Sequence, residues 1–230
     1  MLHDTQHWFE FTQASVFSQF FRPENVMERS RPAAEAARQT WLELHSLTGT
    51  PDAAARWTYL KSLENAANAI ALLNGPPLTE RRFLLQYSQR AQTVGRPGLS
   101  GGLVDLYLPQ APDEETWNLW LDNWRTAFEA ASLLPNVPPR LHPCRQRYYE
   151  GAAQALFSDH PEAAAWILLR TWTLALASLS PDAPQHTAWE NACQDCGLGG
   201  NAFKQRLAAL DVYLDSVEET LDLWAQKNGV

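Results

Sequence analysis

Residues 62–83 read SLENAANAIALLNGPPLTERRF, and the reading of this stretch decides the fold. On a helical wheel, Tyr59, Leu60, Leu63, Ala66, Ala67 and Ile70 cover one side of the segment 57–73. Lys61, Glu64, Asn65 and Asn68 gather in a narrow arc opposite, and Ala69, Leu72 and Leu73 flank that arc. A helix on the outside of a protein shows a broader and more charged polar face. The segment therefore predicts a mostly buried helix whose thin polar strip faces a cleft or a neighbouring helix. Buried Asn and Glu need hydrogen-bond partners. Asn74-Gly75-Pro76-Pro77 ends the helix and delivers the chain to Arg81 and Arg82.

The same helical spacing continues along almost the whole of the 230 residues. Strand signals are nearly missing: no Asn-Gly or Asp-Gly turn separates alternating β-branched runs. The punctuation predicts an all-α body of about ten helices. Asp4 is a candidate cap for a first helix ending at Phe21. Ser30, with Pro32 in the first turn, opens a second that runs to Leu47. Asp52 caps the 57–73 helix, and Thr79 opens another that ends near Gly95. A short helix fits 99–108, and Asp113 opens one ending at Leu133. Further helices are expected at 144–158, 161–179, 184–196 and 201–226. Pro-rich breaks at 109–112 and 135–143 allow two lobes, 1–108 and 113–230, within one domain.

Composition narrows the function. Hydrophobic residues make up 45% of the chain, with 10 Trp, which is enough for a large core. The formal net charge is −8, so sequence-independent binding to a nucleic-acid backbone is not expected. Only Lys61, Lys204 and Lys227 are lysines among the 18 basic residues, and the rest are arginines, the residue suited to bidentate pairing with carboxylate or phosphate. The three Cys and the polar N-terminus predict a reduced, cytoplasmic protein. The longest apolar run, 163–169, is far short of the roughly 20 residues of a membrane span.

Arg170 interrupts the otherwise apolar or Thr run AAAWILLRTWTLAL, residues 163–176. A desolvated Arg needs a carboxylate or an anionic ligand, and Glu64 and Glu190 are the candidate partners. Glu64, Asn68, Arg81, Arg82 and Arg170 are thus predicted to line one polar cleft able to hold an anion. Separate ion pairs and backbone bonds would satisfy the same residues without any site.

YLKSLENAANAIALLNGPPLTERRFLLQYSQRAQTVGRPGLSGGL, residues 59–103, together with AAAWILLRTWTLAL, resembles the helical C-terminal domain of some bacterial polymerase-β-like nucleotidyltransferases. The likeness covers about 56–105 and 145–226. It implies a helical, substrate-binding part without the catalytic head. The head's motif places carboxylates on a strand, about ten residues after a Gly-Ser or Gly-Gly turn, where they hold metal ions. Here Gly101-Gly102 is followed by Asp113-Glu114-Glu115, but Pro109 and Pro112 break the interval, and the acids suit a helix start. The expected partner is a nucleotidyltransferase-like protein or an anionic small molecule, and no cofactor is called for.

Two other readings compete. Arg38 and His45 share one helix face at the spacing of HEPN-type ribonucleases, which are all-α and metal-independent; chance alone supplies about one such pair in this composition. Trp41 on the same face favours packing. Phe203, Leu207, Leu210, Leu214, Val217, Leu221 and Trp224 recur at steps of three and four, with Asp211, Asp215, Glu218 and Asp222 on another face. That pattern suits a helix packed on the body with its acids in water, or a homodimer through 203–224. His142, Cys144, Cys193 and Cys196 offer only a partial zinc spacing, and the metal assignment is none.

Overall fold

A computed structural model describes residues 8–230 as an all-α helical bundle. The helices are α1 (Trp8–Phe20), α2 (Pro23–His45), α3 (Ala53–Ala71), α4 (Arg82–Thr93), α5 (Gly98–Asp105), α6 (Glu114–Ser132), α7 (Gln146–Phe157), α8 (Pro161–Ser178), α9 (Gln185–Asp195) and α10 (Gly200–Asn228). Short 3-10 turns extend α3 to Asn74 and precede α7. No helix among the described residues is long and apolar enough to cross a membrane.

The residues that start these helices act through their side chains. Asp52 accepts the Ala55 N–H at 2.8 Å, and Asp113 accepts that of Thr116 at 2.8 Å. The Thr116 N–H holds the Asp113 carboxyl below its ordinary value. At the far end of α10, Gly229 takes the left-handed conformation (φ 75°) that a side chain resists.

Two predicted starts differ, and one is not described. The Asp4 cap lies outside the described residues. The second helix opens at Pro23, whose fixed φ suits a first turn, and it passes straight through Ser30 and Pro32. Ser30 is buried in the middle of the helix, against the core, and so cannot cap it. The helix expected at Thr79 opens at Arg82, because Glu80 adopts φ +51° and interrupts the helical path.

Helix α3 is the centre of the bundle. Tyr59, Leu60, Leu63, Ala66, Ala67 and Ile70 are all fully buried. Its alanines admit close neighbours: α2 packs along one flank, where Ser62 donates to the Ala37 carbonyl at 2.9 Å. Helix α8 packs along another flank, with α10 and α4 closing the rest. α8 is buried around nearly its whole circumference and is sandwiched between α3, α6 and α7. One continuous core runs from Val26 to Ala225 and crosses the Pro109–Pro112 break.

The acidic strip of α10 is not left to water alone. Arg38 on α2 reaches Asp211 at 2.5 Å, Asp215 at 2.6 Å and Glu218 at 2.8 Å. These hydrogen bonds, Glu218 foremost, raise the Arg38 pKa. Arg31 adds Asp222 at 3.4 Å. The apolar positions Phe203, Leu207, Leu210, Leu214, Val217 and Leu221 are buried within the chain, and Trp224 is packed against the core.

Candidate anion-binding site

The polar strip of α3 does three different things. Glu64 meets Arg170 of α8 in an ion pair, with side chains 13% and 7% exposed. The Arg170 guanidinium also lies 5.2 Å from the Trp57 ring centre and 6.0 Å from that of Trp166. Asn68 grips the loop beyond its own helix: its amide donates to the Leu78 carbonyl at 3.2 Å and accepts the Leu78 N–H at 2.7 Å. Lys61 projects outward, exposed.

Loop 72–81 is held a second time. Asn74 donates to the Arg90 carbonyl at 3.0 Å, and Arg90 returns a bond to Asn74 Oδ1 at 2.9 Å. Arg90 threads over Gly75 so closely that a Cβ there would lie 1.7 Å from its Nη1. A side chain at position 75 would have to push the flexible tip of Arg90 aside and so disturb its bond to Asn74. Asn68→Ala removes both bonds to Leu78 and is expected to lower unfolding free energy by about 1–3 kcal/mol. Hydrogen exchange at the Leu78 amide should rise well above its neighbours, and unchanged protection there would refute the clamp.

The clamped loop delivers Glu80, Arg81 and Arg82 to one corner, where the chain returns sixty residues later as Arg140, Arg145, Tyr148 and Tyr149. Glu80 sits in a left-handed conformation that costs a non-glycine residue about 1–2 kcal/mol. Its Oε1 accepts from Tyr149 at 3.2 Å and Arg145 at 3.3 Å, and lies 3.4 Å from Arg140. Arg145 also donates to the Tyr149 hydroxyl at 3.3 Å. Those contacts, Tyr149 before Glu80, push Arg145 further up, while burial pushes the Tyr149 hydroxyl up. Arg81 stacks 5.8 Å from the Tyr148 ring centre. Arg81 and Arg82 are exposed at the N-terminus of α4, where no side-chain cap forms and where positive charge opposes the helix dipole.

Two arginines, Arg140 and Arg145, thus share one carboxylate, with Arg81 against Tyr148 beside them and Arg82 next in sequence, in a chain of net charge −8. The Glu80 contacts of 3.2–3.4 Å are longer than the roughly 2.7–2.9 Å of strong charge-assisted bonds. The Arg38 clamp on α10 has those short distances. Arg38 is consumed in structure, and the arginines around Glu80 keep donor capacity for another anion.

Of the five predicted cleft residues, the structure pairs Glu64 with Arg170, uses Asn68 as the loop clamp, and places Arg81 and Arg82 at the exposed corner. Glu190, the other candidate partner of Arg170, pairs instead with Arg56 at 2.8 Å. Arg56 is fully buried, beneath Trp189 at 4.6 Å. Sequence reasoning missed Arg56, although its position three and four residues before Tyr59 and Leu60 places it on the buried face. It also missed Arg140, Arg145 and Glu80, whose convergence depends on the chain return.

The other candidate chemistry is also accounted for. A phosphate beside Arg38 would face three carboxylates. His45 is exposed and stacks on Trp41 at 5.1 Å. His142 Nδ1 lies 3.0 Å from Cys144 Sγ, while Cys193 and Cys196 are buried on and just after α9, where burial pushes the Cys193 thiol up to about 12. Among the described residues, no three or more metal-ligating side chains gather. A groove of about 580 Å³ between α5 and α10 is lined in part by Leu99, Gly102, Arg206 and Tyr213. Its arginines are engaged, Arg96 with Glu219 at 3.0 Å and Arg206 with the Asp105 carbonyl at 2.6 Å.

The fold and this corner define an all-α protein with an exposed arginine cluster. Comparison with protein-family models, curated proteins and solved structures found no match to the chain.

Proposed function

We propose that this chain is a non-catalytic helical binding domain that takes an anionic ligand at the corner formed by Arg81, Arg82, Arg140 and Arg145. The observation that carries the reading is the loose hold of a single carboxylate, Glu80, on arginines that outnumber it. Arginine forks match phosphate oxygens bidentately, and the neighbouring Tyr148 offers a face for a planar group. The likeness of residues 56–105 and 145–226 to the helical part of nucleotidyltransferases supports a phosphate-bearing ligand, such as a nucleotide held by a separate catalytic protein. The clamps at Asn68 and Asn74 support the reading as well, since they fix the loop that presents Arg81.

Calorimetric titration with ATP as the probe tests it. Saturable binding that weakens with added salt is expected. Arg81→Ala and Arg145→Ala should each weaken it about tenfold, the loss of one charge-assisted hydrogen bond of about 1.5 kcal/mol or more. Arg170→Met removes the interior charge and should leave the affinity within about twofold, a change below 0.5 kcal/mol. No heat at millimolar ATP, or wild-type affinity in both corner variants, would overturn the proposal.

A further inference from the structure

Three donors converge on one atom of Glu80. Arg140 Nη1, Arg145 Nη1 and the Tyr149 hydroxyl lie 3.4, 3.3 and 3.2 Å from its Oε1. One carboxylate oxygen cannot serve all three at full strength, and none of the contacts shortens to the roughly 2.9 Å or less of a charge-assisted bond. A phosphate carries three terminal oxygens on one centre, enough to give each donor its own. Tyr149 is buried and fixes the inner side of this seat. The side chains of Arg140 and Arg145, 34% and 44% exposed, leave its outer side open to solvent.

The backbone under Glu80 is also unusual. It is the one residue other than glycine with a positive φ, at +51°, among the described residues. Strain of this kind persists where the surroundings over-determine it, and it clusters at ligand sites and switches. Here Asn68 and Asn74 clamp the loop before Glu80, and the Phe83 N–H donates to the Glu80 carbonyl at 3.1 Å just after it.

We propose that Glu80 is a displaceable internal occupant of a phosphate seat, and that the ligand of this corner is a polyphosphate whose first phosphate takes the place of Glu80 Oε1. The inference rests on the anion-binding reading of the corner, and it adds what already fills the site and what class of ligand displaces it. A carboxylate tethered by a short stretch of chain competes at an effective concentration of about a millimolar or more. A single phosphate brings little beyond what Glu80 supplies. Two linked phosphates fill the seat and add a second anion for Arg81, which stands against Tyr148, the neighbour of Tyr149.

Calorimetric titration of the full chain with inorganic phosphate and with pyrophosphate tests the proposal. The wild type should bind pyrophosphate about tenfold more tightly than phosphate, or better. Glu80→Gln removes the competing charge and should tighten both probes by one common factor of about ten, because an internal competitor weakens equally every ligand that must displace it. A mere change of net charge acts differently. It favours pyrophosphate, the more highly charged probe, and it would be reproduced by Glu129→Gln, an acid that accepts from Gln146 at 3.1 Å, one residue from Arg145. Glu80→Gly, which adopts a positive φ at no steric cost, should tighten binding as Glu80→Gln does, so a fault in one variant does not decide the outcome. Unchanged affinity in both Glu80 variants, an effect matched by Glu129→Gln, or equal wild-type affinity for the two probes would overturn the inference and leave the corner an anion site. Failure of the wild type and both Glu80 variants to bind either probe at millimolar concentration would remove the anion-binding reading itself, and this inference with it.

Discussion

Glu64→Gln should destabilise this protein by about 3–5 kcal/mol, because it strands the Arg170 charge inside the bundle. For a chain of this size that corresponds to a fall of about 10 °C in the unfolding midpoint. Arg170 is 5% exposed, its Nη1 faces the Glu64 carboxylate, and its Nε finds no hydrogen-bond partner among the described residues. The carboxylate therefore carries nearly the whole burden of neutralising it. The ion pair itself adds little net stability, since two charges had to leave water to form it. A double variant, Glu64→Leu with Arg170→Met, tests that distinction. It should recover most of the loss and end within about 1 kcal/mol of the wild type, or above it. Denaturant titration of the two variants suffices, and a double variant as unstable as Glu64→Gln would show that the pair itself stabilises the fold.

The second large effect belongs to Trp166. Its ring stacks on Phe83 at 4.9 Å, meets Tyr107 edge-on at 5.1 Å, and is fully enclosed. Trp166→Ala should cost about 3–5 kcal/mol through the cavity it leaves between α8, α4 and the end of α5. Trp166→Phe should cost far less. It shrinks the ring but keeps an aromatic face toward Phe83, and it removes an indole N–H that is buried without a partner among the described residues. Removing an unsatisfied donor offsets part of the lost packing. Urea unfolding of the two variants separates these contributions, and equal losses would mean that the aromatic face kept by Phe contributes nothing to stability.

The interior and the surface of this molecule handle arginine in opposite ways. Arg56 and Arg170 are each matched to one carboxylate and roofed by tryptophan, and Arg38 is enclosed by three acids. These arginines lock α3 to α8 and α9, and α2 to α10. The corner at Glu80 inverts the ratio, with arginines in excess and contacts long. A ligand bringing two negative oxygens would correct that imbalance, which is the physical basis for placing function there and not along the α3 strip.

Local features were legible in the chain. Asp52 and Asp113 cap where short-range chemistry says they should, since a carboxylate needs only the N–H three residues on. The three-four recurrence from Phe203 to Leu221 exposed the buried stripe of α10, because helical periodicity is itself a local property. Burial of α3 was readable from the thinness of its polar arc. Ser30 and Pro32 misled because a proline tolerated inside a helix looks the same in sequence as one that begins it.

The amino-acid sequence alone determined that this protein is helical, where nearly every helix lies, and which faces are apolar. Only the tertiary structure decided which charge answers which: Glu64 for Arg170, Glu190 for Arg56, the acids of α10 for Arg38, and Glu80 for Arg140 and Arg145. Helix formation follows from bonds spanning three or four residues. Ion pairs join residues up to 191 positions apart, and their choice depends on how the packed helices happen to face one another.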